Sequence, residues 1–257
     1  MEIKQVEHPM PNDIIEHDAW PYSPPKLPKV PAIKLDHIHG VLPFDGVRNP
    51  GFRSSTSHTI WLPYRTAAND WRPKVGICES AAEAAVAHDV LLDPDIYDVV
   101  FQPLKVEFEL DGESREYTHD LLITQTNGHR RLVFVRNEES LTKPKTWREI
   151  AAIKYATPPT AANDMIVVSA DDYSRQRREN LFRMHEMVQE CDQEADDRVL
   201  SIAENLKSLW QIKDVFPHSA LPQQRAFRAC YRLIARKKLI VNLDHVIHET
   251  SRVQVAA

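Results

Sequence analysis

Along residues 99–136 apolar and polar positions alternate, and on either side of that stretch the spacing turns helical. The run 99–102 is a short strand, and 104–110 alternates over a half-buried span. Two more strands fall at 116–124 and 131–136, with Asp111-Gly112 and Asn127-Gly128 as hairpin turns. Upstream, 58–62 is a short strand and 79–92 a helix, with Ala81, Ala82, Ala84, Ala85 and Ala87 supplying propensity. Ser80 and Glu83 have capping-box spacing, and Asp93-Pro94-Asp95 ends the helix. Downstream, 146–155 is helical and 165–169 is an apolar strand. Helix, hairpin-rich mixed sheet and second helix predict an α/β domain over 56–170.

The remainder divides differently. Residues 171–210 are long, charged and helical, and lead into a compact C-terminal module. There, 212–216 is a short helix, Pro217-His218-Ser219 a turn and 222–237 a second helix, and 239–243 pairs with a strand around 252–255. Helix, turn, helix and hairpin describe a winged helix, so 171–257 reads as helical linker plus winged-helix module. Residues 1–55 hold nine of the eighteen prolines, and Pro21, Pro24, Pro25, Pro28 and Pro31 favour an extended path. This segment is an arm that wraps another surface, or a disordered leader.

Composition narrows the function classes. At 257 residues, 42% hydrophobic and 27% charged, the chain has the make-up of a soluble globular protein. No apolar run approaches the roughly 18 residues that span a membrane, and the first residues lack a secretory layout. Cys78, Cys191 and Cys230 are too scattered for a disulfide framework or zinc ribbon, which fits a reducing cytoplasm. The nucleotide-cradling glycine motifs are absent. A net charge of −5 argues against a generally basic nucleic-acid binder, though not against one with its cations on a single face.

Such a face exists on the helix over 222–237. Arg225, Arg228, Arg232 and Arg236 recur at steps of three, four and four and form one stripe, extended by Lys237 and Lys238. Phe227, Cys230, Leu233 and Ile234 lie opposite. A row of guanidinium groups suits phosphate and guanine contacts, and a solvated surface stripe is the plainer alternative. Arg175, Arg177 and Arg178 form a smaller cluster that reads as a solvated helix start or as partners of Glu179. The histidine pairs His37/His39 and His245/His248 read as loop or surface groups, and Trp61, Trp71 and Trp147 as core anchors.

A second constellation carries chemistry. Phosphodiester hydrolysis uses a divalent cation to activate water and neutralise transition-state charge, and hard cations ask for carboxylate oxygens. Glu79-Ser80-Ala81-Ala82-Glu83, Phe101-Gln102-Pro103-Leu104, Tyr117-Thr118-His119-Asp120 and Val133-Phe134-Val135-Arg136 follow one another in the order such a site needs. With Leu233 to Leu243 downstream, these motifs resemble the TnsA family, the endonuclease subunit of heteromeric transposases within the PD-(D/E)XK nucleases, over roughly 55–256. The resemblance implies a restriction-endonuclease-like mixed sheet with flanking helices. It implies Glu83 and Asp120 as metal-binding acids for Mg²⁺ or Mn²⁺, and Arg136 in place of the catalytic lysine. Its implied partners are double-stranded DNA, an integrase-type transposase subunit and an ATPase regulator, and self-association stays open.

The pattern is broken at three positions. Phe134 replaces the family's Glu or Gln, Arg136 its Lys, and His119 its usual Pro. Phenylalanine cannot ligate a metal, and arginine is a poor general base. Glu138, Glu139 or His119 would have to supply a missing group. The expectations are a DNA-binding protein of a transposition machine with a degenerate nuclease domain, an active metal-dependent endonuclease, or a regulator or scaffold that kept the fold.

Overall fold

The computed structural model describes residues 39–48 and 59–256. Most of the proline-rich arm, Pro21 to Pro31 included, lies outside these residues, as does His37. The first described hairpin joins β1 (Ile60–Tyr64) to β2 (Lys74–Cys78), antiparallel, with Ile60 opposite Cys78. A 3-10 turn over Ala67–Asn69 lies between them. β2 was not legible in the pattern, because it opens on Lys74, a buried lysine paired with Asp45. Its Gly76 is a packing requirement, since a Cβ there would come within 2.4 Å of the Phe101 ring.

Helix α1 (Ala81–Leu91) follows, then β3 (Ile96–Phe101), β4 (Lys105–Leu110), β5 (Glu113–Thr118), β6 (Leu121–Gln125) and β7 (Arg130–Arg136). The single strand expected over 116–124 is thus two strands. Its break falls at His119-Asp120, where backbone bonds run to other segments (His119 N–H to Leu104 O and Gln102 N–H to Asp120 O, both 2.9 Å). β4 and β5 form a separate hairpin closed by Asp111 and Gly112, whose positive φ values (55° and 80°) suit a primed turn.

A short α2 (Glu138–Leu141), then α3 (Pro144–Ala156) and β8 (Asp164–Ser169), complete a four-stranded mixed sheet in the order β3-β6-β7-β8. Only β8 runs parallel to its neighbour. Strand alternation gives the sheet two covered faces. Val99, Leu121, Ile123, Val133 and Val135 pack with Ala84 and Ala87 of α1. Phe134 packs with Ile150 and Ile153 of α3 and with Val106 and Phe108 of the β4–β5 hairpin.

The segment over 171–210 is not one helix but α4 (Arg175–Gln189) and α5 (Gln193–Asn205), with Asp192 capping the second. A 3-10 turn over Ile212–Val215 runs into α6 (Phe216–Ser219), and then come α7 (Gln223–Ala235), β9 (Leu239–Ile240) and β10 (Gln254–Val255). The two short strands pair antiparallel. Leu181, Met184, Val199, Ile212, Val215 and Tyr231 form the core of this half, and Ala85 of α1 belongs to the same cluster. The whole is α/β, with a mixed sheet and seven α-helices among the described residues.

Where α1 meets α4, His88 and His185 stack edge-to-face with centroids 4.7 Å apart, and Phe182 meets His88 at 5.7 Å. Both imidazoles are 5% exposed. Burial, and for His88 also the neighbouring His185, holds them down at about 3 and about 4, so both are neutral at pH 7. A folded-state pKa below the unfolded value means stability present near neutrality and lost as pH falls from about 6.5 toward 4. Replacing His185 by Phe is expected to flatten the acid limb of a stability–pH curve, by on the order of 3 kcal/mol between pH 7 and 4. Chemical denaturation of parent and variant across that range checks it, and parallel curves would contradict it.

Candidate functional site

Glu83 sits in the first turn of α1 because Ser80 caps that helix. The Ser80 hydroxyl accepts the Glu83 N–H at 3.1 Å and donates to its Oε1 at 3.0 Å, while Oε2 accepts the Glu79 N–H at 2.8 Å. This is a local variant of the capping box that holds the carboxylate at the helix start. Glu79 itself pairs with Arg48.

Asp120 is placed by the break between β5 and β6. Its Oδ2 accepts the Val135 N–H of β7 at 2.8 Å and the Tyr117 hydroxyl at 3.1 Å. The carboxylate therefore occupies a ladder position that a regular strand would have filled with a carbonyl. Arg136 ends β7, where its Nη1 donates to the Val135 carbonyl at 2.9 Å. Its guanidinium carbon lies 4.2 Å from the Phe134 ring centroid and 5.5 Å from that of Tyr117. Those rings pack at 4.9 Å, so cation and aromatics form one stack.

Electrostatics tie the three residues together. Burial is the main force raising Asp120 to about 7, with the Glu83 charge adding to it and the Val135 N–H, Arg136 and the Tyr117 hydroxyl opposing it. Glu83 is raised chiefly by burial and also by Glu79, against the Glu79 N–H, the Ser80 hydroxyl and Arg136. Below them the Cys78 thiol is pushed up by burial and by both carboxylates. Two acids that share one cation and are poorly solvated favour holding a proton between them.

The structure brings Glu83, Asp120 and Arg136 within electrostatic reach of one another, although 53 positions separate the first from the last. Phe134 is a fully buried core residue. The three rescue groups stand elsewhere. His119 is fully buried, bonds Thr157 Oγ1 at 3.0 Å through Nε2, and is held down to about 4 by burial. Glu138 and Glu139 are exposed on α2, and Glu139 pairs with Lys143. Tyr117, on β5 three residues before Asp120, joins the site through its hydroxyl, and its place in the Tyr117-Thr118-His119-Asp120 motif is the sequence signal for it. Gln102 is buried with a positive φ of 48°, and its Oε1 is unpartnered among the described residues.

The donor set available to a cation is two carboxylates. Among the described residues no group of three or more His, Cys, Asp or Glu gathers in a metal-holding arrangement. Two carboxylates with waters and substrate oxygens are a usual Mg²⁺ environment, and Glu83 and Asp120 are the acids that would hold such an ion here.

The arginine stripe of α7 needs a correction. Arg232 is 2% exposed and forms a buried ion pair with Asp196 (2.7 Å), so it is no surface contact. Arg225 binds Asp192 and Glu194, Arg228 binds Glu190, and Arg236 binds Asp196. These acids arrive from α5 and the α4–α5 corner, 31 to 40 residues away in sequence. Lys237 pairs with Asp93, and Lys238 is exposed. Trp71 and Trp147 are exposed rather than core anchors. No helix among the described residues is long and apolar enough to cross a membrane.

The raised carboxyl of Asp120 carries a sign. A folded-state pKa above the unfolded value of about 4 means a contribution present at low pH and lost as pH rises through about 7. Asp120→Asn, which keeps an oxygen for the Val135 N–H, is expected to be more stable than the parent at pH 8 by on the order of 3 kcal/mol, with no gain below pH 4. Urea unfolding at both pH values checks this, and a pH-independent difference would contradict it.

Compared with known proteins, the chain matches no family model and no curated protein at a significant level.

Proposed function

We propose that the chain is a TnsA-like DNA-binding protein of a transposition or recombination machine, whose nuclease-type domain holds DNA or a partner rather than cutting it. The observation that carries this reading is the assembly of Glu83, Asp120 and Arg136 at one spot, beside a Phe134 that is fully buried. An acid pair and a cation remain, while the position of a third ligand is given to the hydrophobic core. Arg136, stacked on Phe134 and Tyr117, presents a planar guanidinium that suits a phosphate contact better than proton abstraction. In this reading the domain over 56–170 is restriction-endonuclease-like and α7 with β9 and β10 forms a winged-helix module. The stripe of α7 then serves the module's own packing, and the exposed Lys238, just past the end of α7, is the contact of this module with duplex DNA.

A second reading is favoured by the coupled acids. Carboxylates whose protonation is raised by burial and by a neighbouring acid are relieved by a divalent cation, so Glu83 and Asp120 would hold Mg²⁺ or Mn²⁺ in an active endonuclease. The ion would polarise a phosphate and activate water there. Glu83 and Asp120 would fix its place, and Arg136 would bind the phosphate.

Fluorescence anisotropy of a labelled duplex with the full chain tests the first reading. Binding is expected to weaken steeply with salt and to fall about tenfold in Arg136→Ala and again in Lys238→Glu. A supercoiled plasmid in Mn²⁺ should stay uncut. Absent or salt-independent binding would overturn the reading, and nicking lost in Asp120→Asn would move the assignment to the endonuclease.

A further inference from the structure

Far from the acidic pair, a cavity of about 590 Å³ opens where the two halves of the molecule meet. That volume lies within the roughly 300–1,000 Å³ of small-molecule sites, which favour such junctions. Leu91, Ile96, Val188 and Ala235 make its apolar wall, and the neutral ring of His185 adds a hydrogen-bonding edge.

The charged groups around it are unevenly matched. Asp93 is the acid in the lining, and its Oδ2 is taken by Lys237 (2.6 Å) and its Oδ1 by the Asp95 N–H (3.0 Å). Arg65 and Arg236 also line the cavity. Arg236 gives one amino group to Asp196, while Arg65 is exposed and, among the described residues, bonds the carbonyl of Trp71 at 2.9 Å.

Trp71 stands at the mouth, 63% exposed. It and Asp70 are consecutive non-glycine residues in the left-handed region (φ 57° and 52°). The surrounding turn over-determines that conformation. The Asp70, Trp71 and Arg72 N–H groups bond Ala67, Thr66 and Asn69 carbonyls at 3.0–3.1 Å, and the Thr66 hydroxyl is anchored to Asp98 at 3.0 Å. Strain of this kind persists where the backbone holds a side chain in place, as in ligand clamps. A large aromatic is thus presented to solvent at a cationic mouth, where burial would ordinarily have claimed it.

We propose that this cavity binds a planar aromatic anion, such as an aromatic carboxylate or a nucleoside monophosphate, which stacks on Trp71 and sets its charge against Arg65 and Arg236. An apolar slot takes the ring, the tryptophan face adds stacking, and the guanidinium groups supply charge-assisted hydrogen bonds. Because α1, α4, α7 and the β1–β2 connection all contribute, a bound ligand ties the sheet half to the helical half and raises the unfolding temperature. The site is independent of the acid pair and of the function proposed above.

Titration of the full chain with the aromatic sulfonate dye anilinonaphthalene sulfonate tests the site. Saturable one-site binding is expected, about tenfold weaker in Arg65→Ala and in Trp71→Gly, each removing one contact. Glycine keeps the left-handed backbone while deleting the ring. Val188→Trp, which fills the cavity from α4, should abolish binding without touching the turn. Tyr155→Ala, removing a distant aromatic that is 94% exposed, should change nothing. Displacement of the dye by adenosine monophosphate or by indole acetate supports the site and tells which anion it prefers. The proposal is overturned if the three cavity variants bind like the parent, if Tyr155→Ala weakens binding as much as they do, or if neither competitor displaces the dye.

Discussion

Burial of α1 on two sides is the constraint from which the rest of the arrangement follows. Ala84 and Ala87 face the sheet cluster, and Ala85 belongs to the helical cluster. A helix sandwiched between two layers needs small side chains on both faces if the layers are to close. The alanines that read in sequence as helix propensity are therefore a packing requirement as well. Because α1 is fixed from both sides, its N-terminus is carried to the strand ends, where the Glu83 charge acts on Asp120. Its last turn carries His88 to His185 across the junction, and its C-terminal end forms one wall of the cavity.

Strand parity does the rest. On β7 the even positions face α3 and the odd ones face α1, so Phe134 and Arg136 share the hairpin side while Val133 and Val135 complete the other core. Asp120 bridges the strands through the Val135 N–H and so is held rigidly under poor solvation. The outcome is an acid pair under the influence of the Arg136 cation. Such an arrangement keeps a proton or takes up a counter-charge, and its chemistry depends on which is supplied.

Much of this was legible locally. The helix expected over 79–92 is α1, the Ser80 cap is real, and the turns at Asp111-Gly112 and Asn127-Gly128 fall between the strands they were expected to join. Helix 146–155 and strand 165–169 lie within α3 and β8. What escaped was set by distant partners. β2 is pinned by Lys74 to Asp45 and by Gly76 beneath Phe101. The stretch 116–124 divides because His119 and Asp120 bond to the β3–β4 connection. The stripe on α7 has no acid nearby in sequence, yet Glu190, Asp192, Glu194 and Asp196 fold across it. Periodicity places charges on a face, and only tertiary contacts decide whether that face stays open.

The central claim is that Glu83 and Asp120 form one coupled, poorly solvated acid pair opposite Arg136. Carboxyl carbon chemical shifts of these two side chains, followed by NMR across a pH titration of the full chain, test it most directly. The account predicts a midpoint of about 7 for Asp120, a raised midpoint for Glu83, and mutual perturbation of the two curves. Independent titrations of both carboxyls near the ordinary value of about 4 would contradict it.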